Sequence, residues 1–91
     1  MRFIARIVVE PKDGVLDPQG KASMKVVKRL GYEFVDDIRV GKHITVEIQA
    51  TNKKMAEKIA SELAYKIFTN PVLEKYEVSV FEMKKAEVIE K

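Results

Sequence analysis

The residues that most often carry chemistry are scarce in this chain of 91 residues. It contains no cysteine, which excludes disulfides, thiolate metal sites and thiol nucleophiles. Its single histidine, His43, has no second histidine with which to share a metal ion. Because an isolated histidine is more often a surface or interface residue than a catalyst, the sequence predicts no catalytic, cofactor-binding or metal-binding residue.

Two short charged motifs suggest binding sites, but their surroundings argue against both. Asp36 and Asp37 are adjacent in a segment that alternates like a strand, so their carboxylates should point to opposite faces and pair with basic residues instead of sharing a cation. The segment Arg39-Val40-Gly41-Lys42 resembles part of a phosphate-binding loop. It lacks the full spacing of that motif and joins two predicted strands, which favours a turn with two basic side chains available to a partner.

The overall charge and hydropathy argue against three further classes of protein: nucleic-acid-binding, membrane-spanning and secreted proteins. The formal net charge is +3, and the basic residues are spread along the chain, so nucleic-acid binding is not favoured. No apolar run approaches the roughly 20 residues that a bilayer requires. The first residues, MRFIARIVVE, alternate like a strand and do not resemble a signal peptide. The expected location is therefore cytoplasmic, with no membrane contact.

Alternation and helical spacing predict six elements in the order βαββαβ. The first helix has Asp17 as its N-cap and Pro18 as its first residue, and it ends at Gly31. The second begins at Thr51 or Asn52, carries an apolar stripe from Ala56 to Ile67, and ends before Pro71. The predicted strands span residues 2–10, 33–40, 43–50 and 76–81.

This order predicts an α+β fold, specifically a ferredoxin-like two-layer sandwich with a four-stranded antiparallel sheet and two helices on one face. Strands 2–10 and 43–50 are expected at its centre because they are the most apolar. Side-chain parity predicts an odd-length or bulged connection between strands 33–40 and 43–50, with Gly41 at positive φ. The chain is interpreted as one domain, residues 1–83, followed by a charged tail, residues 84–91.

The sheet face without helices should carry a mixture of apolar and charged side chains, and such a face favours oligomerisation. Its expected members are Ile4, Val8, Phe81 and Met83 together with Arg2, Arg6, His43 and Glu47.

Three stretches resemble a known family when taken together: VLDPQG, GYEFVDDIRVGKHI and TNPVLEKYEV. Their order and separation resemble the PurS subunit of phosphoribosylformylglycinamidine synthase (FGAM synthase) over residues 2–82. The resemblance implies a non-catalytic accessory subunit in purine biosynthesis. It also implies partners, namely a small PurL synthetase, a PurQ glutaminase, and further copies of the chain in a homodimer or tetramer.

In such a complex, formylglycinamide ribonucleotide (FGAR), glutamine and ATP are converted to FGAM, and ATP and Mg are used by the synthetase subunit. The resemblance implies that this chain bridges the other two subunits and aids ammonia transfer. The expected partner contacts lie before the first helix and around Gly41, and they are Asp17, Gln19, Gly20, Arg39, Gly41 and Lys42.

Gly20 raises a separate question, because glycine in the first turn of a helix costs about 1 kcal/mol relative to alanine. Capping explains Asp17 and Pro18 but not this glycine. We therefore expect another backbone, of this chain or of a partner, to approach Gly20 closely.

Two other functions fit the same strand order. One is a free-standing, ACT-like regulatory domain that binds a small molecule. The other is an RNA-binding domain, which is disfavoured because the strand 43–50 has no aromatic residue for base stacking and Phe3 is assigned to the core.

Overall fold

A computed structural model describes residues 1–83 of the chain, and the predicted tail, residues 84–91, lies outside the described residues. The elements in chain order are β1 (Arg2–Pro11), α1 (Pro18–Arg29), β2 (Lys42–Gln49), α2 (Lys53–Leu63), a π-helical turn (Ala64–Phe68) and β3 (Glu74–Glu82). The α+β class, the two helices and the antiparallel sheet are confirmed. The described residues form three strands, however, and the prediction of four is wrong.

The sheet has the order β2-β1-β3, and both pairings are antiparallel. The central position of β1 is confirmed, and Ala5 lies opposite Val46 on one side and Val80 on the other. The strand 43–50, observed as β2, was also expected at the centre, and this prediction is wrong: within residues 1–83 no segment pairs with its outer side, so β2 is an edge strand. As predicted, alternate residues of β1 face the core. Four of its side chains are fully buried, namely Phe3, Ala5, Ile7 and Val9.

Helix α2 covers the buried face of the sheet through small residues. The Asn52 side chain caps it by accepting a hydrogen bond from the Met55 amide at 2.8 Å. Ala56, Ala60 and Ala64 are fully buried, so the helix can approach the sheet closely. Ile67 was expected in this stripe but is 65% exposed. The π-helical turn adds a residue, which rotates Ile67 outward and packs Phe68 inward.

Helix α1 ends as predicted, at a glycine in the left-handed region. Gly31 has φ 97°, its amide bonds to the Lys28 carbonyl at 3.0 Å, and the Tyr32 amide bonds to the Val27 carbonyl at 3.2 Å. These two bonds form a Schellman motif. The prediction that both helices pack on one face is wrong, because α1 makes no extensive contact with the sheet and buries only Gly20. The radius of gyration is accordingly 17.0 Å, against about 12 Å for a compact chain of this length.

The predicted strand 33–40 is absent, because its amides have other partners. Side chains that hydrogen-bond nearby amides compete with strand pairing. The donor and acceptor pairs are Glu33 with the Gly31 carbonyl, Val35 with the Tyr32 carbonyl, Ile38 with its neighbour Asp37, and Val40 with Asp17. The predicted bulged connection is therefore also wrong. Gly41 is not at positive φ; among the described residues, the positive-φ glycines are Gly14 and Gly31.

The opposite face of the sheet carries no described helix. The Arg6 guanidinium lies over the Phe81 ring, 5.4 Å from its centroid, and His43 is exposed opposite Val8. Apolar and charged side chains are mixed there, as predicted. None of the helices in the described part of the chain is long and apolar enough to cross a membrane.

Candidate functional site

The six predicted contact residues lie together at one end of the sheet, where β1 ends, α1 begins and β2 begins. They come from two motifs that are distant in the sequence, Asp17–Gly20 and Arg39–Lys42. Hydrogen bonds and close approaches join the motifs. We call the joined residues, Asp17, Gly20, Ile38, Arg39, Val40 and Gly41, the latch.

Asp17 is the centre of the latch because its two carboxylate oxygens accept hydrogen bonds from two different segments. Oδ1 accepts a hydrogen bond from the Gly20 amide at 3.1 Å, which caps α1 as predicted. Oδ2 accepts a hydrogen bond from the Val40 amide at 2.9 Å, across 23 positions of sequence. The bonds from Val40 and Gly20 hold the pKa of Asp17 below its ordinary value of 3.8, and the charge of Arg39 lowers this pKa further.

Gly20 is buried under the segment that Asp17 holds. A Cβ on Gly20 would collide with the Ile38 carbonyl oxygen and with the Asp17 carboxylate. The close approach expected from the sequence is therefore present, and the approaching backbone belongs to the same chain. The space that the missing side chain leaves is what allows the segment to cross the first turn of α1.

Arg39 ties the same segment to the end of β1. Its Nη1 donates to the Pro11 carbonyl at 3.2 Å, and its Nη2 lies 2.8 Å from a carboxylate oxygen of Asp13. Its Nε lies 3.4 Å from Asp37. The Asp13 carboxylate, and to a lesser degree Asp37, raises the pKa of Arg39 above its ordinary value. Because the guanidinium is partly exposed, the Coulombic stabilisation is modest, and the bond to the Pro11 backbone fixes its direction.

Gly41 is required for a second close approach. A Cβ on Gly41 would collide with the Val9 carbonyl and crowd Glu10. The absence of a side chain thus lets the chain enter β2 directly beside β1. A turn glycine was expected here, and sequence alone did not distinguish a turn from a close approach.

Gln19 and Lys42 differ from the other four candidates. Both are exposed, and within the described part of the chain their side chains have no hydrogen bond or ion pair. They flank the latch, one on the first turn of α1 and the other at the start of β2. The fold therefore leaves these two side chains available, whereas it uses Asp17, Gly20, Arg39 and Gly41 internally.

Sequence reasoning missed Asp13, Ile38 and the Pro11 carbonyl. Asp13 lies in a turn cluster, and the sequence gives no signal that its carboxylate reaches Arg39. The available signal for Ile38 was indirect: an unexplained glycine in a first turn indicates that some backbone passes there. The identity of that backbone depends on the tertiary fold.

Two open grooves border the latch. One, of about 350 Å³, is lined by Met24, Lys25 and Ile38 among others. The second, of about 330 Å³, runs past Val8, Arg39 and His43. Within residues 1–83 no group of three or more His, Asp or Glu side chains is placed to hold a metal ion.

Comparison with known proteins gives a consistent result. The sequence model of the family PurS, described as phosphoribosylformylglycinamidine (FGAM) synthase, matches residues 4–82. A relative from Archaeoglobus fulgidus, phosphoribosylformylglycinamidine synthase subunit PurS, is 35% identical over 76 residues, which cover 84% of this chain and 95% of the relative. The PurS subunit from Thermotoga maritima is also 35% identical, with 84% and 93% covered.

Solved structures agree with the sequence comparison. The structure of Thermus thermophilus PurS superposes with a TM-score of 0.82 and 36% identity, covering 92% of this chain and all (100%) of that one. A chain in the structure of PurLQS from Thermotoga maritima gives a TM-score of 0.80 and 32% identity, covering 89% and 99%. A third structure, PurS from Methanocaldococcus jannaschii, is described as a subunit of formylglycinamide ribonucleotide amidotransferase in the purine biosynthetic pathway.

Proposed function

Because the chain belongs to the PurS family, we propose that it is a non-catalytic accessory subunit of a phosphoribosylformylglycinamidine synthase. The family match over residues 4–82 carries this proposal, and it supports the resemblance found in the three motifs. The enzyme is a glutamine-dependent ligase that makes FGAM from FGAR, glutamine and ATP in purine biosynthesis. The lack of a catalytic constellation in residues 1–83 fits a subunit whose partners perform the chemistry.

The proposed partners are a small PurL synthetase, a PurQ glutaminase and further copies of the chain. The relative in the PurLQS structure supports this assembly. In the assembly this chain bridges the two larger subunits and aids passage of ammonia between them, and ATP and Mg are used at the synthetase. We place the complex in the cytoplasm and retain the single domain 1–83 with its tail 84–91 as a prediction. No observation favours the ACT-like alternative.

We propose that the latch end of the domain contacts a partner subunit. Gln19 and Lys42 are the side chains that meet the partner, since the fold leaves both available. Asp17, Gly20, Arg39 and Gly41 support that surface from within by fixing the relative positions of α1 and β2. These four residues thus contribute to the partner contact chiefly indirectly. Mutations can therefore separate them from Gln19 and Lys42, which contact the partner directly.

Reconstitution tests the function. Without this chain, we expect a mixture of the PurL and PurQ subunits to lose glutamine-dependent FGAM synthesis by about tenfold or more, the scale of a coupling of about 1.4 kcal/mol. Activity with added ammonium should persist, because free ammonia bypasses the glutaminase. The measurements are steady-state rates with each nitrogen source and co-elution in gel filtration. Unchanged glutamine-dependent activity together with no co-elution would refute the proposed function.

The same assay separates docking from folding. Lys42→Glu should weaken co-elution and glutamine-dependent activity while the unfolding midpoint stays close to that of the wild type. Lys58→Glu on α2 is the matched control, since it makes the same charge change at an exposed position away from the latch. Full activity of Lys42→Glu would remove Lys42 from the docking surface.

A further inference from the structure

The third motif, TNPVLEKYEV, has no part in the latch but borders it. A third groove, of about 240 Å³, opens beside the latch. Its walls come from all three motifs: Leu16 and Gln19 from the first, Val40 from the second, and Leu73 and Glu74 from the third. The fold therefore brings the three motifs side by side at this groove, although they are far apart in the sequence.

The turn that forms one wall of this groove is fixed by hydrogen bonds. The Asn70 carbonyl accepts hydrogen bonds from the amides of Leu73 at 3.0 Å and Glu74 at 2.7 Å, and the Asn70 amide donates to the Glu74 carboxylate at 2.8 Å. The Lys12 amide donates to the Leu73 carbonyl at 2.9 Å, which ties the turn to the residue that follows β1. A wall that is fixed before binding loses little conformational entropy when a partner arrives.

Apolar side chains are exposed at the groove. Leu16 is 67% exposed and Leu73 is 46% exposed, and Val72, next to Leu73 on the turn, is 76% exposed. Large apolar side chains that lie exposed in one group usually mark an interface. The groove is smaller than the pockets of about 300–1,000 Å³ that hold small-molecule ligands, so it suits a single side chain on the surface of another protein.

The charges around the groove favour an acidic partner. Asp17 and Glu74 line it, but both carboxylates accept hydrogen bonds from amides of this chain. Lys12 is joined to the groove through its backbone bond to Leu73, and Lys42 follows the lining segment at the start of β2. Within residues 1–83 neither lysine side chain has a hydrogen bond or an ion pair. The uncommitted charge at this groove is therefore positive.

A second copy of this chain does not supply the complementary charge. Two copies that meet through the same surface are related by a two-fold axis, which pairs that surface with itself. Lys12 and Lys42 of one copy would then face the same two lysines of the other. The charge at the groove therefore favours a partner of different sequence.

We propose that this groove binds an apolar side chain of a partner subunit that has a carboxylate beside it. The apolar side chain packs between Leu16 and Leu73, and the carboxylate pairs with Lys12 or Lys42. Gln19, which lines the same groove, bonds to the backbone of that partner segment. This inference rests on the proposed function, because it gives the chemistry of the surface on which the PurL or PurQ subunit meets the latch end.

Leu16→Glu combined with Leu73→Glu tests the apolar contact, with the full chain titrated against the PurL and PurQ subunits in turn. The affinity for one of the two subunits should fall by about 100-fold or more, because two carboxylates would replace the apolar walls and repel the carboxylate of the partner. Both positions are exposed, so the circular dichroism, the urea midpoint and the sedimentation coefficient of the chain alone should match those of the wild type.

Phe81→Glu is the matched control. Phe81 is 50% exposed, and it lies along β3 at about 23 Å from Glu74 of the groove. We expect this variant to bind both subunits as the wild type does.

Lys12→Glu tests the carboxylate of the partner. At about 50 mM salt this variant should bind the same subunit about tenfold more weakly than the wild type, and the difference should shrink at about 500 mM salt, where exposed charges are screened. Lys58→Glu on α2 makes the same charge change away from the groove and should bind normally. Equal affinity of Lys12→Glu and the wild type at low salt would contradict an acidic partner segment.

The outcomes separate this inference from the proposed function. If the wild type binds a subunit and supports glutamine-dependent activity while Leu16→Glu with Leu73→Glu does so equally well, the groove is not the contact and the proposed function stands. If the double variant loses self-association and keeps its affinity for both subunits, the groove holds a second copy and the inference is wrong. A wild type that binds neither subunit would overturn the inference and the proposed function together.

Discussion

Gly20→Ala should lower the free energy of unfolding by about 2 kcal/mol, although alanine is the better helix former. On propensity alone, alanine in the first turn of α1 would stabilise the chain by about 1 kcal/mol. The added methyl group would, however, overlap the Ile38 carbonyl and the Asp17 carboxylate. Overpacking against a fixed backbone typically costs about 1–3 kcal/mol, and displacing Ile38 would also disturb the hydrogen bonds of Asp17.

Urea unfolding of both proteins, followed by circular dichroism, measures this difference. Lys21→Ala is the matched control, because it changes the next residue of the same helix at an exposed position. We expect its stability to lie within about 0.5 kcal/mol of the wild type. If Gly20→Ala were as stable as the wild type or more stable, the segment around Ile38 would not press on α1, and the latch would be wrong.

Asp17→Asn should lower the free energy of unfolding, and it should also remove part of the decrease in that free energy at low pH. An asparagine oxygen can still cap α1 through the Gly20 amide, but its NH₂ group cannot accept a hydrogen bond from Val40. The pKa of Asp17 is lowered in the folded state, so its ionised form contributes stability that is fully present above the ordinary value of 3.8. This contribution disappears as the pH falls through the folded-state pKa below 3.8.

Urea unfolding of both proteins at pH values from about 7 to 2.5 should therefore show curves that converge in acid. The wild type should be the more stable protein at neutral pH and should lose that advantage below the folded-state pKa. Asp36→Asn is a suitable control because it removes an exposed carboxylate of the nearby segment that contacts neither Asp17 nor Arg39 among the described residues. A constant difference between Asp17→Asn and the wild type across this range would contradict the assigned hydrogen bonds.

The parts of the fold predicted from sequence are those governed by local patterns. Alternation placed β1, β2 and β3, and capping rules placed both ends of α1 and the Asn52 start of α2. The strand expected at residues 33–40 does not form, because the Val40 amide donates its hydrogen bond to Asp17, which is distant in sequence. The prediction that Ile67 lies in the apolar stripe was wrong because a π-helical turn shifts the helical phase. No residue type in the sequence signals a π-helical turn.

For the candidate site, too, the sequence indicated local features and did not indicate tertiary contacts. The motifs could be identified from sequence, and the close approach at Gly20 followed from a glycine that local rules did not explain. Gly41 was interpreted as a turn residue at positive φ, whereas its role is to pass beside Val9. Both glycines are needed for close approach, but the neighbouring backbone is set by the tertiary fold. The sequence thus indicated that Gly20 is constrained by a close approach, but not which backbone lies beside it.

Amide hydrogen exchange at Val40 tests the latch most directly. Val40 lies outside every helix and strand, and its amide has the Asp17 carboxylate as its acceptor. We expect this amide to be protected in the wild type and to exchange much faster in Asp17→Asn, while amides within α2 keep their protection. Equal exchange at Val40 in the two proteins, measured by nuclear magnetic resonance at neutral pH, would show that the two motifs are not joined as described.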